Sequence, residues 1–216
     1  MKKVLFALSF LFTTSLLFAQ PREDMDTSWK NEYRETATKI NNLIHTKLEV
    51  KPDFSKSYVY GKAWLTLKPH FYPTDSLNLD AKGMEIKKVA LVKGTKQIPL
   101  TFDYDEWNLR IKLDKTYKSN ESYTIYIDYT AKPDEFEEKY GGGAMLGIKG
   151  MYFINPRGED KNKPTQIWTQ GETESSSAWF PTIDKTQQKT TQELTVTVDN
   201  KYVTLSNGKL ISQKKN

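Results

Sequence analysis

At 216 residues, 37% of them hydrophobic and 27% charged, the chain is long enough to bury a core of its own. It contains no cysteine, which excludes a disulfide framework and a thiolate metal site. Its net charge of +5 is spread along the chain with no basic cluster interleaved with aromatics, which argues against a nucleic-acid partner.

Lys2 and Lys3 give a basic start, residues 4–18 are mostly apolar, and Leu17-Phe18-Ala19 suits a cleavage site before Gln20. Ser9, Thr13, Thr14 and Ser15 interrupt the apolar run, which is too short for a retained membrane span, and no second such run follows. Residues 1–19 therefore read as a signal peptide. The mature chain is expected to be soluble and exported, periplasmic or extracellular, with no membrane span once the signal is removed. Losing Lys2 and Lys3 takes the balance from +5 to +3. Residues 20–42 are polar and lack a clean period, as in a linker or arm; only Glu32 to Ile40 suits a short helix.

From Leu43 the pattern changes to the alternation of half-buried strands. Ile44, Thr46, Leu48 and Val50 alternate with Lys47, Glu49 and Lys51 until Pro52-Asp53. Val59, Gly61, Ala63, Leu65 and Leu67 define one face of a long strand, with Tyr58, Tyr60, Lys62, Trp64 and Lys68 on the other. Short strands follow at Leu77 to Leu79, Ile86 to Val92 and Ile98 to Tyr104. Asp105-Glu106 suits a hairpin into Leu109, Ile111 and Leu113. Tyr123, Ile125, Ile127 and Tyr129 alternate with polar residues until Pro133. Regularly spaced strands rich in β-branched and aromatic residues, with almost no helix, imply an all-β antiparallel sandwich or open barrel.

The segment 133–150 breaks the pattern and reads as a flexible acidic loop (Asp134, Glu135, Glu137, Glu138) ending in Gly141-Gly142-Gly143. It is not a phosphate loop, since no Lys followed by Ser or Thr comes after the glycines. Ile167 and Trp168 then form a short strand that delivers Thr169-Gln170-Gly171-Glu172 before an aromatic-proline corner at Trp179-Phe180-Pro181 and Asp184. Gly171 permits a close backbone approach, and polar groups fixed at a strand end suit a binding site on a rigid scaffold. Glu174 reads as a surface residue, Trp168, Trp179 and Pro181 as packing residues, and Asp184 as a cap for the turn that follows it. Leu194, Val196 and Val198 make another strand, Asp199-Asn200 a turn, and Asn207-Gly208 a hairpin between Val203-Leu205 and Leu210-Ile211. The returning strand stops at Asn216, so the sheet is expected to be incomplete at its C-terminus and the chain a fragment of a longer protein.

Thr169-Gln170-Gly171-Glu172, with Pro181 and Asp184 at the same spacing, resembles the N-terminal domain of the aminopeptidase N family of zinc metallopeptidases, which includes the leukotriene hydrolases. The resemblance runs from Leu43 to Leu210 through Tyr60-Gly61, Leu79-Asp80-Ala81, Gly150-Met151-Tyr152-Phe153 and Ser206-Asn207-Gly208. It departs at Ser177, where many members carry Arg. It implies a saddle-like β domain over residues 43–216. In that domain Glu172 holds the free amine of a peptide substrate and Gln170 lines the first side-chain pocket. Gly143-Ala144-Met145 also resembles the start of the family's Gly-x-Met-Glu-Asn motif, but Leu146 stands where its Glu belongs.

The family's zinc needs His-Glu-x-x-His on a helix plus a distant Glu. Only His45 and His70 are present, followed by Thr46 and Phe71, so no cofactor is expected in this chain. Zinc is expected in a catalytic domain beyond it, and that domain and the peptide's amino end are the implied partners. The alternative is a secreted β-sandwich module that binds glycans or proteins through Tyr58, Tyr60, Trp64, Trp107 and Tyr126.

Overall fold

The computed structural model describes residues 38–141 and 149–214. The expected signal peptide (1–19), the expected arm as far as residue 37, and the glycine-rich residues 142–148 lie outside them. The described residues form three sheets. β1 (Asn41–Asp53), β2 (Tyr58–Pro69), β8 (Tyr123–Ala131), β4 (Met84–Lys93), β5 (Lys96–Pro99) and β11 (Thr191–Val196) make a six-stranded sheet in the order β11-β1-β2-β8-β4-β5. β3 (Thr74–Asp80), β7 (Asn108–Tyr117) and β6 (Phe102–Tyr104) make a second in the order β3-β7-β6, and β9 (Met151–Ile154) pairs with β10 (Gln166–Thr169). The architecture is an all-β sandwich whose sheets do not close into a barrel. All pairings are antiparallel except β1 with β11, which is parallel.

The alternation in the sequence becomes the core. Ala63 and Leu65 face Ile127 and Ile125 across β2 and β8, and all four are fully buried. The same cluster takes Leu77 and Leu79 from β3, Leu109, Ile111 and Leu113 from β7, and Met151 and Phe153 from β9. Gly61 lies opposite Tyr129 on the neighbouring strand. A Cβ on Gly61 would stand 2.1 Å from Tyr129 Cζ, so this glycine is the space into which the buried ring fits.

Four expectations are corrected. Ile44 does not share the inward face of Thr46, Leu48 and Val50, because a bulge between Leu43 and His45 shifts the register and turns Ile44 outward. The run Ile98 to Tyr104 is two strands in two sheets. It breaks after Pro99, which has no N–H to continue the ladder, and Leu100 and Thr101 then carry the chain across.

The acidic segment after Ala131 is partly helical, as α1 (Pro133–Tyr140). Proline sits in its first turn with Asp134 and Glu135, Lys139 lies in its last turn, and Phe136 buries its apolar side. Proline here opens the helix as well as ending β8. Finally, the Asn207-Gly208 hairpin is not formed: Val203, Leu205, Leu210 and Ile211 are all exposed, and among the described residues no strand follows β11. Past β11, Tyr202 stacks on Phe54 with ring centroids 4.5 Å apart. A lone hairpin without an apolar face to pack on is marginal in water.

Candidate functional site

The site begins with the β9–β10 pair. Ile167 lies opposite Phe153 and packs on the core, so strand alternation sends Gln166, Trp168 and Gln170 to the other face. Trp168 is 43% exposed and stacks on its cross-strand partner Tyr152, with ring centroids 4.3 Å apart and planes 10° from parallel. Past the end of the strand, Gln170 N–H donates to the Gly150 carbonyl at 2.9 Å and carries the pairing one step further. Gly150 has φ +63°, and a Cβ there would lie 1.8 Å from the Ser175 carbonyl oxygen. The turn after Gln170 thus rests directly on the bare backbone of Gly150.

In that turn Ser175 N–H donates to the Gly171 carbonyl at 3.0 Å, the Glu172–Thr173 peptide is cis, and Glu174 has φ +56°. Ser176–Ala178 form one 3₁₀ turn, and Phe180 enters the core. Gln170 and Glu172 both lie just beyond β10 with exposed side chains. Trp179 packs beside the core, and Pro181 is buried.

The turn is tied down from β3. Asp80 and Thr182 exchange backbone hydrogen bonds at 2.7 and 3.0 Å, and Lys82 N–H donates to the Ser177 carbonyl at 2.8 Å. Asp184 N–H donates to Asp80 Oδ2 at 2.8 Å, and Asp184 Oδ2 accepts from Ser177 N–H at 2.8 Å. Asp184 therefore closes the turn before it, not the one after it.

Glu174 is exposed, as expected, yet it is also held: its carboxylate accepts from Lys185 at 2.6 Å and its carbonyl from the Lys82 ammonium. Burial acts to lower the Lys185 pKa, but the Glu174 hydrogen bond and the charges of Asp80, Glu174 and Asp184 outweigh it and hold the ammonium above its ordinary range. Lys82, Lys185 and the Gly150–Ser175 contact were not found from the sequence. Leu79-Asp80-Ala81 was a signal, but its partner lies about a hundred residues away and only the fold joins them.

The peptidase M1 N-terminal domain family matches residues 23–216. The chain belongs to that family. No curated protein matches it in sequence. Among solved structures, this M1 N-terminal domain is similar to a two-domain M1 zinc metallopeptidase mutant bound to L-arginine, with TM-score 0.67 and 15% identity. That match covers 85% of this chain and 38% of the other. A mutant M1 zinc metallopeptidase from Deinococcus radiodurans, bound to a Tyr-Ser-Ala substrate, matches with TM-score 0.66 and 15% identity over 82% of this chain and 37% of its own. Native yeast LTA4 hydrolase matches with TM-score 0.55 and 15% identity over 79% and 26%. At such identity the likeness is one of fold, and the chain spans less than two-fifths of each of these relatives.

Two of these relatives are described as zinc metallopeptidases, but the described residues of this M1 N-terminal domain do not fit a zinc ion. No three His, Asp or Glu side chains converge among them. His45 Nδ1 meets Thr191 Oγ1 at 2.7 Å and its Nε2 faces Glu193 at 3.4 Å, while His70 Nδ1 meets Asn42 Nδ2 at 3.1 Å. Nor are the aromatic strand faces of the domain bare. Lysine ammoniums stand over Trp64 (Lys47, 4.7 Å), Tyr58 (Lys132, 5.3 Å), Tyr60 (Lys87, 5.5 Å) and Tyr126 (Lys88, 5.7 Å). Trp107 packs edge-on against Phe136 and Tyr140. Among the described residues no helix is long and apolar enough to cross a membrane.

Proposed function

We propose that this domain is the substrate-positioning N-terminal part of an exported zinc-dependent aminopeptidase, which removes residues from the amino ends of peptides. Glu172 accepts a charge-assisted hydrogen bond from the peptide's α-ammonium, the group that distinguishes a chain end from an internal bond. Gln170 is the neutral partner that lines the pocket for the first side chain. The observation that carries this reading is the position of Thr169 to Glu172 at the open end of β10. There two exposed polar side chains sit on a turn fixed to the core through Asp80, Lys82 and Gly150. Relatives described as bound to L-arginine and to Tyr-Ser-Ala support it, since both ligands present a free α-ammonium beside a side chain. Zinc and the water it activates belong, in this proposal, to a catalytic domain of the same polypeptide outside this chain. Export is carried by residues 1–19.

The test is Glu172→Gln in the polypeptide that includes the catalytic domain. An ammonium–carboxylate pair closed off from water costs about 3–5 kcal/mol to break. At about 1.4 kcal/mol per decade, kcat/KM for peptides with a free amine falls on the order of hundreds- to thousands-fold. A pair left open to water is worth about 1 kcal/mol at most, or roughly fivefold. An unchanged kcat/KM removes Glu172 from the role.

A further inference from the structure

The turn between β2 and β3 carries two exposed aromatic rings that the proposed function leaves unused. Phe71 and Tyr72 are 71% and 77% exposed, with ring centroids 5.0 Å apart. Pro69 and Pro73 flank the turn and limit its freedom. It is also tied to the chain before β1: His70 N–H donates to the Ile40 carbonyl at 2.7 Å, and Ile40 is itself 57% exposed. None of these three apolar side chains belongs to the core cluster. Strand register defines what surrounds them. Asn42 lies beside Lys68, Leu67 beside Tyr123 and Thr74 beside Tyr117, so the start of β1 and the β7–β8 turn share this end of the domain. Lys39 donates to the Gln187 carbonyl at 3.0 Å and Gln188 to the Asn41 carbonyl at 3.0 Å, which brings the segment before β11 there as well. Residues 38–42, 68–73, 118–122 and 187–189 hold four lysines, Lys39, Lys68, Lys118 and Lys189, against one carboxylate, Glu121. That carboxylate is already engaged by Lys115.

The candidate site and the exit of the chain from β11 both lie at the opposite end. β3 runs from this turn to Asp80, which is bonded to Thr182 and Asp184 beside the site, about 20 Å away at roughly 3.3 Å per residue. β11 is parallel to β1 and ends beside Val50, far from Ile40. A catalytic domain that meets the site from that side leaves the Phe71 turn open. A stable protein interface takes about 20–30 residues a side, and two rings with one aliphatic side chain are too few for the apolar centre of one. The headgroup region of a bilayer, by contrast, takes up single aromatic rings, and lysines near an anionic leaflet add to their hold. We infer that the Phe71–Tyr72 turn is a docking surface for an anionic lipid bilayer, with both rings in the headgroup region and Lys39, Lys68, Lys118 and Lys189 over the acidic headgroups. Docked in this way, the domain keeps Gln170 and Glu172 away from the lipid and open to peptides in solution. The inference does not depend on the role given to Glu172.

The test is co-sedimentation with vesicles of the polypeptide that includes the catalytic domain, from Gln20 onward, because the apolar run 4–18 would bind lipid by itself. Vesicles of phosphatidylglycerol and phosphatidylcholine in equal parts should bind it. Phosphatidylcholine alone should bind it far more weakly, and about 0.5 M salt should release it. Each lysine changed to glutamine should weaken binding by up to about fivefold. Phe71→Ser with Tyr72→Ser should weaken it about tenfold or more, with kcat/KM on peptides in solution unchanged. Tyr72→Trp, which keeps a ring and serves where the serine pair disturbs folding, should bind like wild type and add fluorescence that brominated lipid quenches. The inference is overturned if the anionic vesicles do not bind the protein, or if neutral vesicles bind it equally. It is also overturned if binding survives the serine pair, or if the fluorescence added by Tyr72→Trp is not quenched. A dimer in sedimentation velocity that the serine pair splits would make the turn a contact between two copies, and would overturn it too.

Discussion

Replacing Gly150 by alanine tests whether the candidate site depends on one backbone contact, and Gly94 supplies the control. Both glycines have left-handed backbone angles, φ +63° and +60°. Alanine there costs roughly 1–2 kcal/mol from the backbone alone. Around Gly94 nothing lies within 4 Å of an added Cβ, so Gly94→Ala should lose only that amount. At Gly150 the added Cβ meets the Ser175 carbonyl oxygen at 1.8 Å and its carbon at 2.8 Å. Both are main-chain atoms, so no side-chain rotation relieves the contact. Moving that carbonyl also strains the 3.2 Å hydrogen bond it accepts from Ala178 N–H. Overpacking of this kind adds about 1–3 kcal/mol, and a lost hydrogen bond about 1 kcal/mol more. Gly150→Ala should thus be at least about 2 kcal/mol less stable than Gly94→Ala. For a domain of this size that is roughly 4–8 °C in Tm. Urea unfolding followed by tryptophan fluorescence, beside a thermal melt, measures both variants. Equal losses would refute the view that Gly150 is fixed by the turn resting on it.

Gly61→Ala forces a methyl group into the ring of Tyr129 and should lose about 1–3 kcal/mol in urea unfolding, with part of that recovered in Gly61→Ala/Tyr129→Leu. A double variant as unstable as the single one would show that the ring is not what excludes the methyl group. Asp105 accepts from Asn108 N–H, from Arg110 and from Trp107 N–H, which together hold its pKa down to about 2. Because the folded value lies below the unfolded one, its stabilisation is complete above about pH 4 and lost as pH falls toward 2. Asp105→Asn should flatten the acid limb of a plot of Tm against pH in that window, and an unchanged limb would remove Asp105 as its source.

How much of this was legible depends on the range of the interaction. β2 could be read because its alternation is strict, β8 because Tyr123, Ile125, Ile127 and Tyr129 face the same core although Tyr126 and Thr130 on its other face are buried too, and the β6–β7 hairpin because its turn chemistry is local. The helix α1 was hidden by its eight residues, too few for a period to show, and by a proline that both ends a strand and starts a helix. The outward turn of Ile44 depends on a bulge that no residue type announces. At the site, Gly171 and the strand leading to Gln170 were visible. What fixes the turn was not, because Asp80, Lys82 and Gly150 reach it through tertiary contacts.

The parallel pairing of β1 with β11 sets the timing of folding. His45 lies beside Thr191, 146 positions on, so one flank of β1 has no partner until nearly the whole domain has left the ribosome. At roughly 5–20 residues per second, that interval is about 7–30 s. Throughout it, the flank of β1 from His45 to Val50 stands with bare amides and carbonyls, able to recruit any extended segment nearby. Pairing at such long separation also slows folding, because the cost of closing the long loop comes before the pairing rewards it.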